Sequence, residues 1–226
     1  MRFQDAAKDG RAVVYAAIQA EPLVARAAEL LAAAGYAERL LARAAMNGES
    51  ADPDAWRTMF PTLFGPDADG TTRERAEAVL VASLEVAGRG EQARNQLRGA
   101  IVEALTERLL ARRVPPAAIR RERRILFDGV AAEIHPYDVT VEAAGAAEAY
   151  DCKWGARGIG ADVLNQLDDA RRHAAEDGER LVAALVIFDA ARTCQTRLAR
   201  QTARRDGLRI VTIETLDRMA GAAASR

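Results

Sequence analysis

Lysine is almost missing from this chain. Only Lys8 and Lys153 occur among 226 residues, against thirty arginines. Cysteine is as scarce, with Cys152 and Cys194 alone. A pair that sparse, with no CxxC and no Cys/His cluster, excludes a secreted disulfide framework and a structural zinc site. Aromatic residues make up 5% of the chain while half of it is hydrophobic. A sizeable core must therefore be built from Ala, Leu, Val and Ile. Long apolar runs are lacking too. The longest, Leu181 to Phe188, has eight residues, where about 20 are needed to cross a bilayer. Met1-Arg2-Phe3-Gln4-Asp5 carries no apolar signal segment, so a soluble cytoplasmic protein is expected. Net charge is also small, −1 with a pI near 6.2, which gives no global nucleic-acid signature. Residues 1–95 hold 11 basic and 14 acidic side chains, and residues 96–226 hold 21 and 19. Local clusters outweigh either total.

What is present divides the chain near residue 90. Residues 1–90 read as a helical region. Ala, Leu, Arg and Glu dominate Ala12–Ala20 and Pro22–Met46, with Pro22 suited to a first helical turn and Asn47-Gly48 to a stop. Ala51–Gly70, rich in proline, glycine and aspartate around Trp56, Phe60 and Phe64, reads as an ordered loop pinned by its aromatics. Thr71-Thr72-Arg73-Glu74 would cap a helix reaching about Ala87, and Gly88-Arg89-Gly90 breaks it. Residues 91–226 read as an α/β domain. Leu97, Ile101, Leu105 and Leu109 form the apolar stripe of a helix over Glu91–Arg113, ended by Pro115-Pro116. After a basic stretch, Arg124–Phe127 and Val130–Ile134 have strand character around a turn or bulge at Asp128-Gly129. Strands are predicted at Tyr137–Ala143, Ala147–Lys153, Leu181–Phe188 and Leu208–Ile213. Helices are predicted at Ile159–Glu176, Arg192–Arg205 and Thr215–Ala220. From Glu91 onward the order is α-β-β-β-α-β-α-β.

The rarity of lysine draws attention to Tyr150-Asp151-Cys152-Lys153. A guanidinium cannot replace a compact ammonium whose pKa responds to its surroundings. Strand alternation puts Asp151 and Lys153 on one face and Cys152 on the other. If Ala144-Gly145 is a two-residue turn, Ala143 faces Ala146, and counting outward sets Asp138 opposite Asp151. Opposed Cβ atoms lie about 4.5–5.5 Å apart, a spacing that suits two carboxylates sharing one hard cation. Mg²⁺ prefers such oxygen donors, with Mn²⁺ as a substitute, and can polarise a phosphate oxygen. Lys153 would position or activate water, or neutralise charge on a phosphate. Glu103, off the apolar stripe and after the small pair Gly99-Ala100, is a third carboxylate, with Glu107 as its competitor. Gln166 in the following helix would hold a water or phosphate. The competing reading of Asp151 and Lys153 is an exposed salt bridge, worth little.

The series helix-Glu103, Pro136-Tyr137-Asp138, Asp151-Cys152-Lys153 and helix-Gln166 resembles the PD-(D/E)XK nuclease superfamily, over roughly residues 91–215. Tyr137 stands between the proline and the aspartate that the motif's name sets side by side. The resemblance implies a restriction-endonuclease-like core, a mixed sheet flanked by helices, with residues 1–90 as a helical extension. It implies Asp138, Asp151, the Cys152 carbonyl and Glu103 as metal ligands and Lys153 as the catalytic lysine. It also implies cleavage of phosphodiesters, in DNA before RNA, as restriction, phage-defence and repair enzymes do.

Arg112, Arg113, Arg120, Arg121, Arg123 and Arg124 crowd one stretch, with Glu122 as the only acid, and Arg197, Arg200 and Arg204 recur at helical spacing. Such clusters neutralise phosphates without reading bases. Arg157, in the glycine-rich loop after Lys153, is another candidate phosphate contact. Cutting two strands calls for two sites, hence a homo-oligomer, and the N-terminal helices would serve dimerisation, substrate choice or partner docking. Two rivals stand beside this. One is a non-catalytic nucleic-acid-binding or assembly subunit with the same fold. The other is a different α/β enzyme with a fortuitous Asp-x-Lys.

Overall fold

The structure is a computed structural model describing residues 1–6, 10–48, 50–128, 135–143, 146–202 and 207–221. In chain order its elements are β1 (Arg2–Asp5), α1 (Gly10–Gln19), α2 (Pro22–Ala33), α3 (Tyr36–Ala45), α4 (Pro53–Met59), α5 (Pro61–Phe64), α6 (Gly70–Ala87) and α7 (Glu91–Leu110). They continue with β2 (Ile119–Leu126), β3 (Tyr137–Ala143), β4 (Ala146–Lys153), α8 (Ala161–Glu176), β5 (Leu181–Ile187), α9 (Ala191–Leu198) and β6 (Arg209–Val211). A 3₁₀ segment, Ile213–Ala220, follows. Two compact units result: Met1–Asp9 with Leu109–Arg226, and Gly10–Arg108. The division predicted near residue 90 therefore differs from the packing. Most of α7 belongs with the helices before it, because its polar side chains reach back to them. Glu103 meets Tyr15 and Gln19, Arg98 meets Met46 and Asn47, and Arg108 meets Ala25 and Glu29.

The first unit is mixed α/β. Its described strands form one six-stranded sheet in the order β1-β2-β3-β4-β5-β6. Pairing is antiparallel from β1 to β4 and parallel from β4 to β6. The switch follows from the connections. The short link between β3 and β4 makes a hairpin, whereas α8 carries the chain from β4 to its parallel neighbour β5. Leu164, Leu167, Ala170 and Ala174 of α8 share a core with Ala147, Ala149, Ala183, Leu185 and Ile187 of the sheet. Truncating Leu164 or Leu167 to alanine there would cost about 2–5 kcal/mol.

Two strands depart from expectation. β1 lies within the region read as helical. Its register with β2, Phe3 against Ile125 and Asp5 against Arg123, is a tertiary pairing with no local signal. β2 occupies the basic stretch Ile119–Leu126 rather than beginning at Arg124. Glu122 within it has φ +52°, a left-handed conformation uncommon for a residue with a side chain. The strand predicted at Val130–Ile134, and the turn residues Gly129, Ala144 and Gly145, lie outside the described residues.

The second unit is helical. The continuous helix expected over Pro22–Met46 is interrupted at Ala34-Gly35. Glu38, buried in the first turn of α3, accepts the Gly35 amide at 2.5 Å and pairs with Arg75. Arg39, also buried, donates to the Leu31 carbonyl at 3.1 Å. These bonds satisfy charges that would otherwise be costly to bury. The expected loop at Ala51–Gly70 contains α4 and α5, each opening on a proline. Its aromatics do pin it: Trp56 is buried with Leu41, Leu63 and Leu80, and Phe60 and Phe64 pack on that cluster. Asp69, rather than Thr71, caps α6, accepting the Thr72 amide at 2.8 Å. Gly48, with φ +77°, supplies the helix stop expected there.

Candidate active site

The hairpin β3–β4 has the register counted from the sequence. Ala143 faces Ala146 and Val139 faces Tyr150; one step further sets Asp138 opposite Asp151. At that step the Asp138 carboxylate turns onto the backbone, accepting the Cys152 amide through Oδ2 at 2.5 Å. Asp151 is buried, and its Oδ1 lies against the Lys153 ammonium. Burial acts to lower the pKa of Lys153. The charges of Asp138 and Asp151 outweigh it and raise the value above the ordinary lysine range. Lys153 is therefore fixed as a cation at neutral pH. As a cation it can neutralise negative charge or donate a proton.

Three segments frame this group. Lys153 ends β4, and its carbonyl accepts the Phe188 amide at 2.9 Å just beyond β5. The site thus lies at the carboxyl ends of two parallel strands, where open α/β sheets bind ligands. Trp154, half-buried, stacks on buried Phe188 with ring centroids 5.1 Å apart. The turn Ala156–Gly158 comes next. A Cβ on Gly158 would lie 3.0 Å from Cβ, Cγ and Cδ of Lys153. A larger residue there would have to push the lysine stem aside by a few tenths of an ångström.

The other predicted residues fall as follows. Gln166 is in α8, but its side-chain amide donates to the His135 carbonyl at 2.9 Å, tying that helix to the segment just before Asp138. Glu103 belongs to the helical unit, where its buried carboxylate accepts the Tyr15 hydroxyl and Gln19 Nε2, the latter at 2.7 Å. A Cβ added at Gly99 would meet the Tyr15 hydroxyl of the same unit at 3.1 Å. Arg120 is exposed on β2, with Arg121 and Arg124 half-buried beside it. Arg123 is engaged by Glu142 and Asp5, and its hydrogen bonds to them raise its pKa. Arg197 donates to the Ile159 carbonyl at 3.2 Å. α9 ends at Leu198, so exposed Arg200 follows the helix rather than continuing its face. Arg204 lies outside the described residues. Arg157 is exposed in the turn beside Lys153.

The opposite face of β4 carries a second charged group that sequence reading missed. Glu148 accepts both Arg113 terminal nitrogens, one at 2.7 Å, and also the Tyr150 hydroxyl. Arg113 Nε holds the Met219 carbonyl at 2.7 Å. Burial pushes the Glu148 pKa up, but the bonds from Arg113 and Tyr150 prevail and lower it. Both cysteines are buried, and neither is in a disulfide.

The donor set bears on whether a metal would fit. Two opposed carboxylates are hard oxygen ligands, and Mg²⁺ commonly takes one or two of these and leaves other positions to water and phosphate. Among the described residues no group of three or more His, Cys, Asp or Glu side chains is disposed to hold a metal. An ion here would rest on Asp138, Asp151 and oxygens outside their side chains. Among the described residues no helix is long and apolar enough to cross a membrane.

No family model matches the chain, and no curated protein matches it either. A solved structure, protein VC1899 from Vibrio cholerae, is similar over 89% of this chain at 17% identity, with a TM-score of 0.49. The chain spans about half of that protein's chain, 55% of its length.

Proposed function

We propose that the chain is a Mg²⁺-dependent nuclease that hydrolyses phosphodiester bonds, in DNA before RNA, on a restriction-endonuclease-like core. The observation that carries this reading is the convergence of Asp138 and Asp151 on Lys153 at the strand ends. The α-β-β-β-α-β-α-β order and the PD-(D/E)XK-like spacing support it. Asp138 and Asp151 would hold the metal, with the Cys152 carbonyl as a candidate ligand. When bound, Mg²⁺ supplies Lewis-acid polarisation of a phosphate oxygen and a more acidic water. Lys153, held as a cation, offsets charge gathering on the phosphate and orients water. Gln166 acts indirectly, through its bond to the segment leading into Asp138. Arg157 and Arg120 supply phosphate contacts.

Cleavage of plasmid, single-stranded DNA, branched DNA and RNA, with Mg²⁺, Mn²⁺, Ca²⁺ or excess chelator, tests the reading. Turnover with Mg²⁺ or Mn²⁺, and binding with little turnover in Ca²⁺, is expected. Full activity in chelator, or activity that survives Lys153→Ala, would overturn it. Metal-independent nucleic-acid binding without cleavage would instead favour a non-catalytic binding subunit.

A further inference from the structure

We infer that Asp189 is a positioning residue for Lys153, acting through the turn Ala156–Gly158. Asp189 follows Phe188 at the end of β5 and is not in the Asp-x-Lys strand. Its Oδ2 accepts the Ala156 amide at 3.1 Å, and its Oδ1 accepts the Ala190 amide at 2.9 Å. Its backbone is fixed on both sides, with its amide on the Ile187 carbonyl at 2.8 Å and its carbonyl taking the Ile213 amide at 3.2 Å. One carboxylate thus joins a rigid strand end to the first residue of the turn.

That turn lies beside Lys153. The Gly158 amide closes it on the Gly155 carbonyl at 2.9 Å, and a Cβ added at Gly158 would come within 3.0 Å of three side-chain carbons of Lys153. A lysine stem has four rotatable bonds and would otherwise sample many rotamers. The turn restricts them and keeps the ammonium at Asp151. Removing Asp189 frees the Ala156 amide, releases the turn and lets the ammonium wander. Since about 1 Å of displacement can cost roughly a hundredfold in rate, the effect falls on turnover rather than on affinity.

The scarcity of lysine provides the test. Protein carrying isotope-labelled lysine side chains gives two signals by nuclear magnetic resonance, from Lys8 and Lys153. In Asp189→Ala the Lys153 signal is expected to move toward that of a solvated lysine. The Ala156–Gly158 amides should exchange at least about tenfold faster, as local opening predicts. Asp189→Asn, which keeps one acceptor, should fall between, and it carries the test if the alanine variant does not fold. Gly158→Ala should shift the same signal without touching Asp189. Glu214→Gln is the control. Glu214 accepts the Ala191 amide through both carboxylate oxygens, at 2.9 and 3.0 Å, so this change, like Asp189→Asn, leaves one acceptor and weakens the same start of α9 without touching Ala156, and the Lys153 signal should stay. An unmoved signal in Asp189→Ala and Asp189→Asn, or an equal movement in Glu214→Gln, would overturn the inference. A kinetic arm rests on the nuclease reading: kcat should fall about tenfold to a hundredfold with KM nearly unchanged. If the signal moves but the wild-type protein cleaves nothing, the positioning role stands and the nuclease reading fails.

Discussion

Asp138 holds the backbone amide of Cys152, the residue between Asp151 and Lys153. The upstream carboxylate is therefore both a candidate metal ligand and a brace for the strand that carries the rest of the site. These two roles separate by mutation. Asp138→Asn retains an oxygen for the Cys152 amide and should keep its melting temperature while losing Mg²⁺ affinity in calorimetric titration. Asp138→Ala removes the acceptor as well, and the stranded amide should cost a further 1–3 kcal/mol or so in denaturant unfolding. Equal stability of the two variants would show that the brace contributes nothing.

Lys153→Arg preserves charge but not shape. A planar guanidinium cannot occupy the ammonium position under the Gly158 turn. Turnover should fall by about a hundredfold or more, while binding to a labelled oligonucleotide changes by only a few-fold. Near-normal cleavage would make Lys153 an ordinary surface cation.

Arg157 is expected to contribute one phosphate contact. In Arg157→Ala, binding should weaken on all sequences alike. The slope of log affinity against log salt should flatten by about 0.9 on duplex DNA. An unchanged slope would remove Arg157 from the interface.

Glu148 gives the sheet an acid limit. Its pKa in the folded protein lies below the ordinary value of 4.5. The stability it confers is therefore fully present above that value, and it is lost as pH falls through the lower folded one. Unfolding followed from pH 7 to 2 should show Glu148→Gln less stable at neutral pH, with the gap narrowing in acid. A constant gap would mean that Arg113 and Tyr150 do not hold the ionised form.

The hairpin was legible because its signals are local. Strand alternation and a connector of two residues fix a register, so the pairing of Ala143 with Ala146 and the approach of Asp138 to Asp151 follow by counting. Ile119–Leu126 was harder, since Ile-Arg-Arg-Glu-Arg-Arg gives no apolar alternation. Its strand state comes from pairing on both sides with β1 and β3. Asp189 escaped notice for a similar reason. Its partner Ala156 is 33 residues away, and no spacing rule joins a strand end to a turn after another strand. Glu103 was read as lying off the apolar stripe, yet it is buried, and Tyr15 and Gln19, more than eighty residues earlier, take its carboxylate.

The pairing of Arg2–Asp5 with Ile119–Leu126 makes the sheet unit discontinuous along the chain: its first strand precedes Gly10–Arg108, and the others follow. A fragment cut to begin at Glu91 or Leu109 would lack that first strand. It would leave the arginine-bearing strand as a bare edge, with unpaired amides and carbonyls that invite pairing with another chain. During synthesis the first strand must likewise wait more than a hundred residues for its partner, a long-range closure of the kind that slows folding. Truncation, a common way to isolate an active domain, would here disrupt the sheet on which the proposed site depends.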